Sequence, residues 1–210
     1  MTAESSDISA LRQRLEGLNL YLVGMMGAGK SAVGRPLAEA LGYRFVDADN
    51  AIEQVAGRPI AEIFASDGEP GFRTLETAVL SQIAGWHSLV VATGGGVVTR
   101  PENWGHMRQG VVIWLDAAPE LLLSRLQADP TPRPLLQVDA PAARVAALLQ
   151  QRLPLYGQAD LRISQGHGSP AEVAQQVLEG LPTILKTRTA PPDDAVQLQN
   201  IAGETLQSFN

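Results

Sequence analysis

The chain has 210 residues, 45% of them apolar and 18% charged, with a formal charge of −6 and no cysteine. This length and apolar share exclude a disordered chain and suit one domain with a full core and small appendages. The acidic balance, with no lysine–arginine run, argues against a nucleic-acid surface, and the missing cysteine removes disulfides and thiolate chemistry.

Residues 1–18 read as an N-terminal extension, loose over 1–8, with Ser9 capping a short helix through Leu11, Leu15 and Leu18. No apolar block follows the acidic start, so no secretory signal is expected, and no apolar run reaches the roughly 18 residues of a membrane span. Residues 19–23 form a short apolar run of strand length. Gly24-Met25-Met26-Gly27-Ala28-Gly29-Lys30-Ser31 follows and satisfies the phosphate-loop pattern GxxxxGK[ST]. Behind it Val33, Leu37, Ala38 and Leu41 recur at helical spacing and Gly42 stops the helix. Strand, glycine-rich turn and helix are the context that the motif needs. Bare backbone N–H groups and the positive end of a helix cradle a phosphate chain. Lys30 would neutralise β and γ oxygens, and the Ser31 hydroxyl would ligate magnesium.

A second strand over residues 43–46 closes on Asp47-Ala48-Asp49. If the chain stays extended, Asp47 and Asp49 share a face at the ligand end of an α/β sheet; the competing reading is an aspartate capping the next helix. Residues 50–66 alternate short helical pieces with Gly57 and Pro59, residues 67–71 are a turn, and residues 72–84 resume a helix. Arg73 and Glu76 stand at i,i+3, either a surface pair or, since a cation gains little at a helix start, a ligand group.

Residues 88–92 read as a central parallel strand running into Gly94-Gly95-Gly96, where backbone N–H groups can approach a ligand. Trp104 and Met107 lie on a following helix, residues 110–116 are the fourth strand, and Pro119 opens a helix bearing Arg125. Arg125 is either a solvated residue or a guanidinium flattened on an adenine ring. Residues 129–140, with Pro130, Pro132 and Pro134 around Arg133, read as a lid whose arginine swings over the transferring phosphates. A helix over 142–152, a fifth strand over 160–164 and a helix over 170–181 complete a domain of residues 19–181. Residues 182–210 read as a flexible extension with scattered apolar residues.

These pieces, in this order, resemble the shikimate kinase family, small P-loop kinases of the nucleoside-monophosphate-kinase type. The likeness rests on the loop from Gly24 to Ser31, Asp47-Ala48-Asp49, Gly71-Phe72-Arg73 with Glu76, Gly94-Gly95-Gly96, Arg133-Pro134-Leu135-Leu136, and Arg152 ahead of Pro154-Leu155-Tyr156. It implies an α/β three-layer fold, with a parallel five-stranded sheet in the order 2-3-1-4-5, helices on both faces and a lid. It implies a cytoplasmic monomer that uses ATP and magnesium to phosphorylate the 3-hydroxyl of shikimate, on the way to chorismate and the aromatic amino acids. The ATP phosphates would lie on Gly27, Ala28, Gly29, Lys30, Ser31 and Ala32. Arg125 would stack on adenine and Arg133 would reach the phosphates. Ser31 and Asp47 would serve the metal, Asp49 the ring hydroxyls and the attacking oxygen, and Arg73 and Arg152 the carboxylate. Gly95 and Gly96 would offer backbone contacts, and Glu76 would orient the arginines. Ala32 departs from the threonine that many relatives carry there, and Ser31 keeps the metal hydroxyl. Other readings are a gluconate-type P-loop kinase, a non-catalytic nucleotide-binding relative and a GTPase switch; the last lacks an Asn-Lys-x-Asp box, and Lys30, Asp47 and Asp49 count against the second.

Overall fold

The computed structural model describes residues 3–129, 135, 140–166 and 168–185, with side chains from residue 7 onward. Five parallel strands, β1 (Leu20–Val23), β2 (Arg44–Asp47), β3 (Leu89–Ala92), β4 (Val111–Ala117) and β5 (Leu161–Gln165), form one sheet in the order β2-β3-β1-β4-β5. The expected sheet order is the observed one. The central strands β1 and β3 are buried throughout, which is why they read as unbroken apolar runs. The edges β2 and β5 are only partly covered.

Both faces of β1 are apolar, so its period of two feeds two cores. Leu20 and Leu22 join a layer with α1 (Ala3–Leu15), α2 (Lys30–Leu41) and α8 (Pro170–Ile184). Tyr21 and Val23 join a layer with α3 (Ala48–Ala56), α4 (Ile60–Ala84) and α5 (Pro101–Met107). Two further helices, α6 (Pro119–Ala128) and α7 (Pro141–Tyr156), follow β4 in the chain. Gly34 lets α2 lie on the sheet, since a β-carbon there would stand 2.6 Å from the Phe45 ring. The capping box at α8 is complete: Ser169 Oγ accepts from the Glu172 amide and Glu172 Oε2 from the Ser169 amide.

Two expectations need correction. The first helix runs from Ala3, so Ser9 lies inside it and caps nothing. Leu11 and Leu15 anchor it in the core, and the Arg14 guanidinium donates to the Pro182 and Leu185 carbonyls at 3.0 and 2.7 Å. The turn expected over residues 67–71 shrinks to a single residue. Gly68 (φ 68°, ψ −177°) kinks one long helical stretch, and Pro70 starts its second half, where a missing N–H costs little. No described helix is long and apolar enough to cross a membrane.

Candidate active site

The loop after β1 is built on positive φ. Gly24, Gly27 and Gly29 have φ of 144°, 80° and 80°, and a β-carbon on Gly24 would stand 2.6 Å from the Leu115 carbonyl oxygen. Gly29 precedes α2 with no side chain capping it, which leaves the first N–H groups of the helix for a ligand. Lys30 Nζ folds back along the loop and donates to the Gly24 and Met25 carbonyls at 2.8 and 3.0 Å. Ser31 Oγ donates to Asp47 Oδ2 at 2.6 Å.

The capping reading of Asp47 is the observed one. Its Oδ1 caps α3 by accepting from the amides of Asp49 and Asn50, while Oδ2 faces Ser31. Asp49 is therefore helical and not extended, so the shared-face argument for the two aspartates fails. The helix nevertheless points Asp49 into the same cleft, because its first turn starts at the strand's carboxyl end.

Two adjoining cavities open there. One, of about 360 Å³, is lined by Gly27, Gly29, Lys30, Ala32, Thr93 and Arg125. The other, of about 540 Å³, is lined by Phe64, Phe72, Arg73, Glu76, Gly96 and Arg152. Met26, Ser31, Asp47, Asp49 and Gly95 face both. Ala28 is fully buried and lines neither cavity. Arg133 and most of the expected lid lie outside the described residues.

The Arg73–Glu76 pair is no surface pair. Arg73 Nη1 meets Glu76 Oε2 at 2.8 Å with both side chains buried, and Arg73 Nη2 meets Glu69 at 3.0 Å. The residue triplet 94–96 is glycine because the site fills the space of each side chain. A β-carbon on Gly94 would stand 2.6 Å from Glu76 Oε1 and 3.0 Å from Asp49 Oδ1, and one on Gly96 would collide with Arg73. Asn103 and Trp104 pin the turn from behind, donating to the Val97 and Val98 carbonyls at 2.8 and 3.0 Å.

Arg152 Nη1 donates to the Gly95 carbonyl at 3.1 Å, and the buried Tyr156 hydroxyl donates to the same oxygen at 2.6 Å. Among the described residues, Arg152 Nε and Glu76 Oε1 are buried without a hydrogen-bond partner. A buried guanidinium with an unmatched donor is costly unless an anion completes it.

Burial raises the Asp49 carboxyl above the usual carboxylate range and Asp47 adds to this, while Lys30 and Arg73 oppose it. Burial likewise raises Glu76 against the pull of Arg73, and pushes the Tyr156 phenol up to about 12.

Three contributors escaped sequence reading. Tyr156 stacks on Trp114 with ring centroids 5.9 Å apart and holds Gly95; its i+4 spacing from Arg152 was the available signal. Thr93 donates to the Leu22 carbonyl at 2.8 Å at the end of β3. Gln165 ends β5, where such sheets place ligands, but its edge position drew no attention.

Comparison with known proteins is consistent with this geometry. A family model described as shikimate kinase matches residues 26–182. A shikimate kinase of Synechococcus sp. (strain RCC307) is 62% identical over 186 residues, covering 88% of this chain and 95% of that protein. The solved shikimate kinase from Acinetobacter baumannii in complex with shikimate superposes with a TM-score of 0.77 at 43% identity, covering 80% of this chain and 95% of that one. A solved gluconokinase from Sinorhizobium meliloti 1021 reaches a TM-score of 0.53 at 19% identity, a likeness of fold alone.

Proposed function

Since this chain belongs to the shikimate kinase family, we propose that its two cavities take ATP and shikimate and pass the γ-phosphoryl group to the 3-hydroxyl of shikimate. The observation that carries this reading is the pair of buried guanidiniums, Arg73 and Arg152, lining the larger cavity, which adjoins the one lined by the phosphate loop, with Asp49 lining both. A planar carboxylate is the ligand that a guanidinium fork matches, and it would complete the Arg152 donor now unpaired.

The loop N–H groups and Lys30 hold the triphosphate, and Arg125 lies at the nucleoside side. Arg73 and Arg152 fix the ring through its carboxylate, with Gly95 and Gly96 offering backbone and Glu76 keeping Arg73 in place. Asp49 then orients the 3-hydroxyl. As the bond from that oxygen to the γ-phosphorus forms, the bond from phosphorus to the β-bridging oxygen breaks, ADP leaves, and Asp49 accepts the hydroxyl proton. Lys30 meets the charge that moves to the leaving oxygen.

Ser31 and Asp47 fit a magnesium ion. They place a hydroxyl and a carboxylate 2.6 Å apart beside the phosphate loop, and so small a set of protein oxygens suits a cation that keeps waters and phosphate oxygens as its other ligands. When bound, such an ion neutralises phosphate charge. Both cavities are lined by a single chain, so this reading takes the monomer as the working unit.

The test is ADP release, followed by a coupled assay, with shikimate, gluconate and nucleoside monophosphates as acceptors. ATP alone should turn over slowly and shikimate should accelerate it most. Faster turnover on gluconate or any nucleotide would overturn the assignment.

A further inference from the structure

We propose that Gln165 is a positioning residue for the nucleotide, acting by holding Arg125 against the phosphate loop. Its amide uses both ends. Nε2 donates to the Ala28 carbonyl at 2.8 Å, and Oε1 accepts from Arg125 Nη1 at 3.1 Å. The orientation is forced, because a carbonyl only accepts and a guanidinium only donates; a flipped amide would lose both bonds. Arg125 Nη1 also lies 3.4 Å from the Gly27 carbonyl, so the guanidinium is held from two sides.

The placement suits a long-range brace. Gln165 is the last residue of β5 and pairs in register with Ala117 at the end of β4. It does not line the 360 Å³ cavity itself, but both of its partners belong to that side, Arg125 as a lining residue and Ala28 within the loop that lines it. Arg125 comes from α6, the loop follows β1, and Gln165 ends the edge strand β5, 40 residues from Arg125 and 137 from Ala28. One side chain therefore ties three separate elements. A guanidinium on a half-buried helix otherwise has many rotamers, and fixing it before the ligand arrives lowers the entropy lost on binding. Neither group touches the 540 Å³ cavity, so the effect belongs to the nucleotide alone.

The proposal rests on the reading of Arg125 as a nucleotide contact, and a double-mutant cycle separates the two. ADP affinity is measured by titration calorimetry for the wild type, Arg125→Ala, Gln165→Met and the double variant. The Kd for shikimate and thermal unfolding are followed in parallel. Gln165→Met keeps length and volume and removes both hydrogen bonds; Gln165→Thr, too short to bridge, replaces it should the methionine variant not fold. Each single variant should weaken ADP by roughly five- to tenfold, the size of one ordinary hydrogen bond. Shikimate affinity should stay within about twofold. The double variant should be no weaker than Arg125→Ala, because a brace has nothing left to hold.

Unchanged ADP affinity in Gln165→Met, with a loss in Arg125→Ala, overturns the role of Gln165 alone. Losses that multiply in the double variant mean that Gln165 acts on the loop independently, which also overturns it. No loss in Arg125→Ala removes the nucleotide reading of Arg125, and the brace with it.

Discussion

Gly96 and Arg73 occupy each other's space: a β-carbon on the glycine would stand 2.1 Å from a guanidinium nitrogen of the arginine. Gly96→Ala must therefore expel Arg73 from its buried pair with Glu76. Breaking such a pair strands a charge, so kcat/KM for shikimate should fall by about 100-fold, while the KM for ATP moves by less than about threefold. Gly105→Ala is the control. Nothing lies within 4 Å of a β-carbon there, on α5, so kinetics should hold and stability rise by roughly 0.5–1 kcal/mol. Equal kinetics for the two variants would show that the close approach does not matter.

Steady-state kinetics with both substrates varied should separate groups that hold shikimate from groups that meet the moving charge. Arg152→Lys replaces a fork by a point charge, which loses the bidentate match to a carboxylate that the guanidinium offers beside its bond to the Gly95 carbonyl. The KM for shikimate should rise about tenfold with kcat within about threefold, since the contact exists in ground and transition states alike. Lys30→Ala should lower kcat by about two orders of magnitude or more. Asp49→Asn should also act on kcat if the carboxylate takes the proton. A fall in kcat for Arg152→Lys at unchanged KM would refute its assignment.

All three tyrosines of the chain are raised by burial, Tyr156 to about 12 and Tyr21 and Tyr43 in the same direction. A phenol raised in the folded state contributes stability that is whole below the unfolded value of about 10 and is lost as pH climbs from there. For Tyr156 that window runs from about 10 to about 12. Native protein near pH 10 should thus show little tyrosinate absorbance, whereas urea-unfolded protein should be about half ionised. Superimposable titration curves would contradict the burial of these hydroxyls.

Truncation after Leu185 keeps the last carbonyl that Arg14 grips and removes a stretch with few apolar residues. Activity should be retained, and unfolding free energy should change by less than about 1 kcal/mol, the range of ordinary surface changes. A loss above about 2 kcal/mol would mean that the removed residues pack on the domain.

The strands and most helices were legible because their signals are local: unbroken apolar runs for central strands, helical spacing for α2 and α8, a glycine pattern for the loop. The order of the strands in the sheet is not local and came only with the family resemblance. What escaped depends on distance in the chain. Whether Arg73 and Glu76 pair outside or inside is decided by what packs over α4, and spacing alone is silent on that. Gln165 is an ordinary edge residue until its partners, 40 and 137 residues away, arrive beside it. The Asp47 cap showed the reverse: a helix start directly past a strand is a local signal, and the cap expected there is the one observed.

Five positions, Met26, Ser31, Asp47, Asp49 and Gly95, face both cavities, and so the two meet along a shared border. A bisubstrate molecule, with a polyphosphate chain tethered to a cyclohexene carboxylate, would have only that border to cross. Joining the halves makes the second docking event intramolecular, so even weak fragments gain through effective concentration when the tether matches the span. The same border restricts resistance to such a compound: a substitution there that repels one half also touches the ground on which the natural pair must meet.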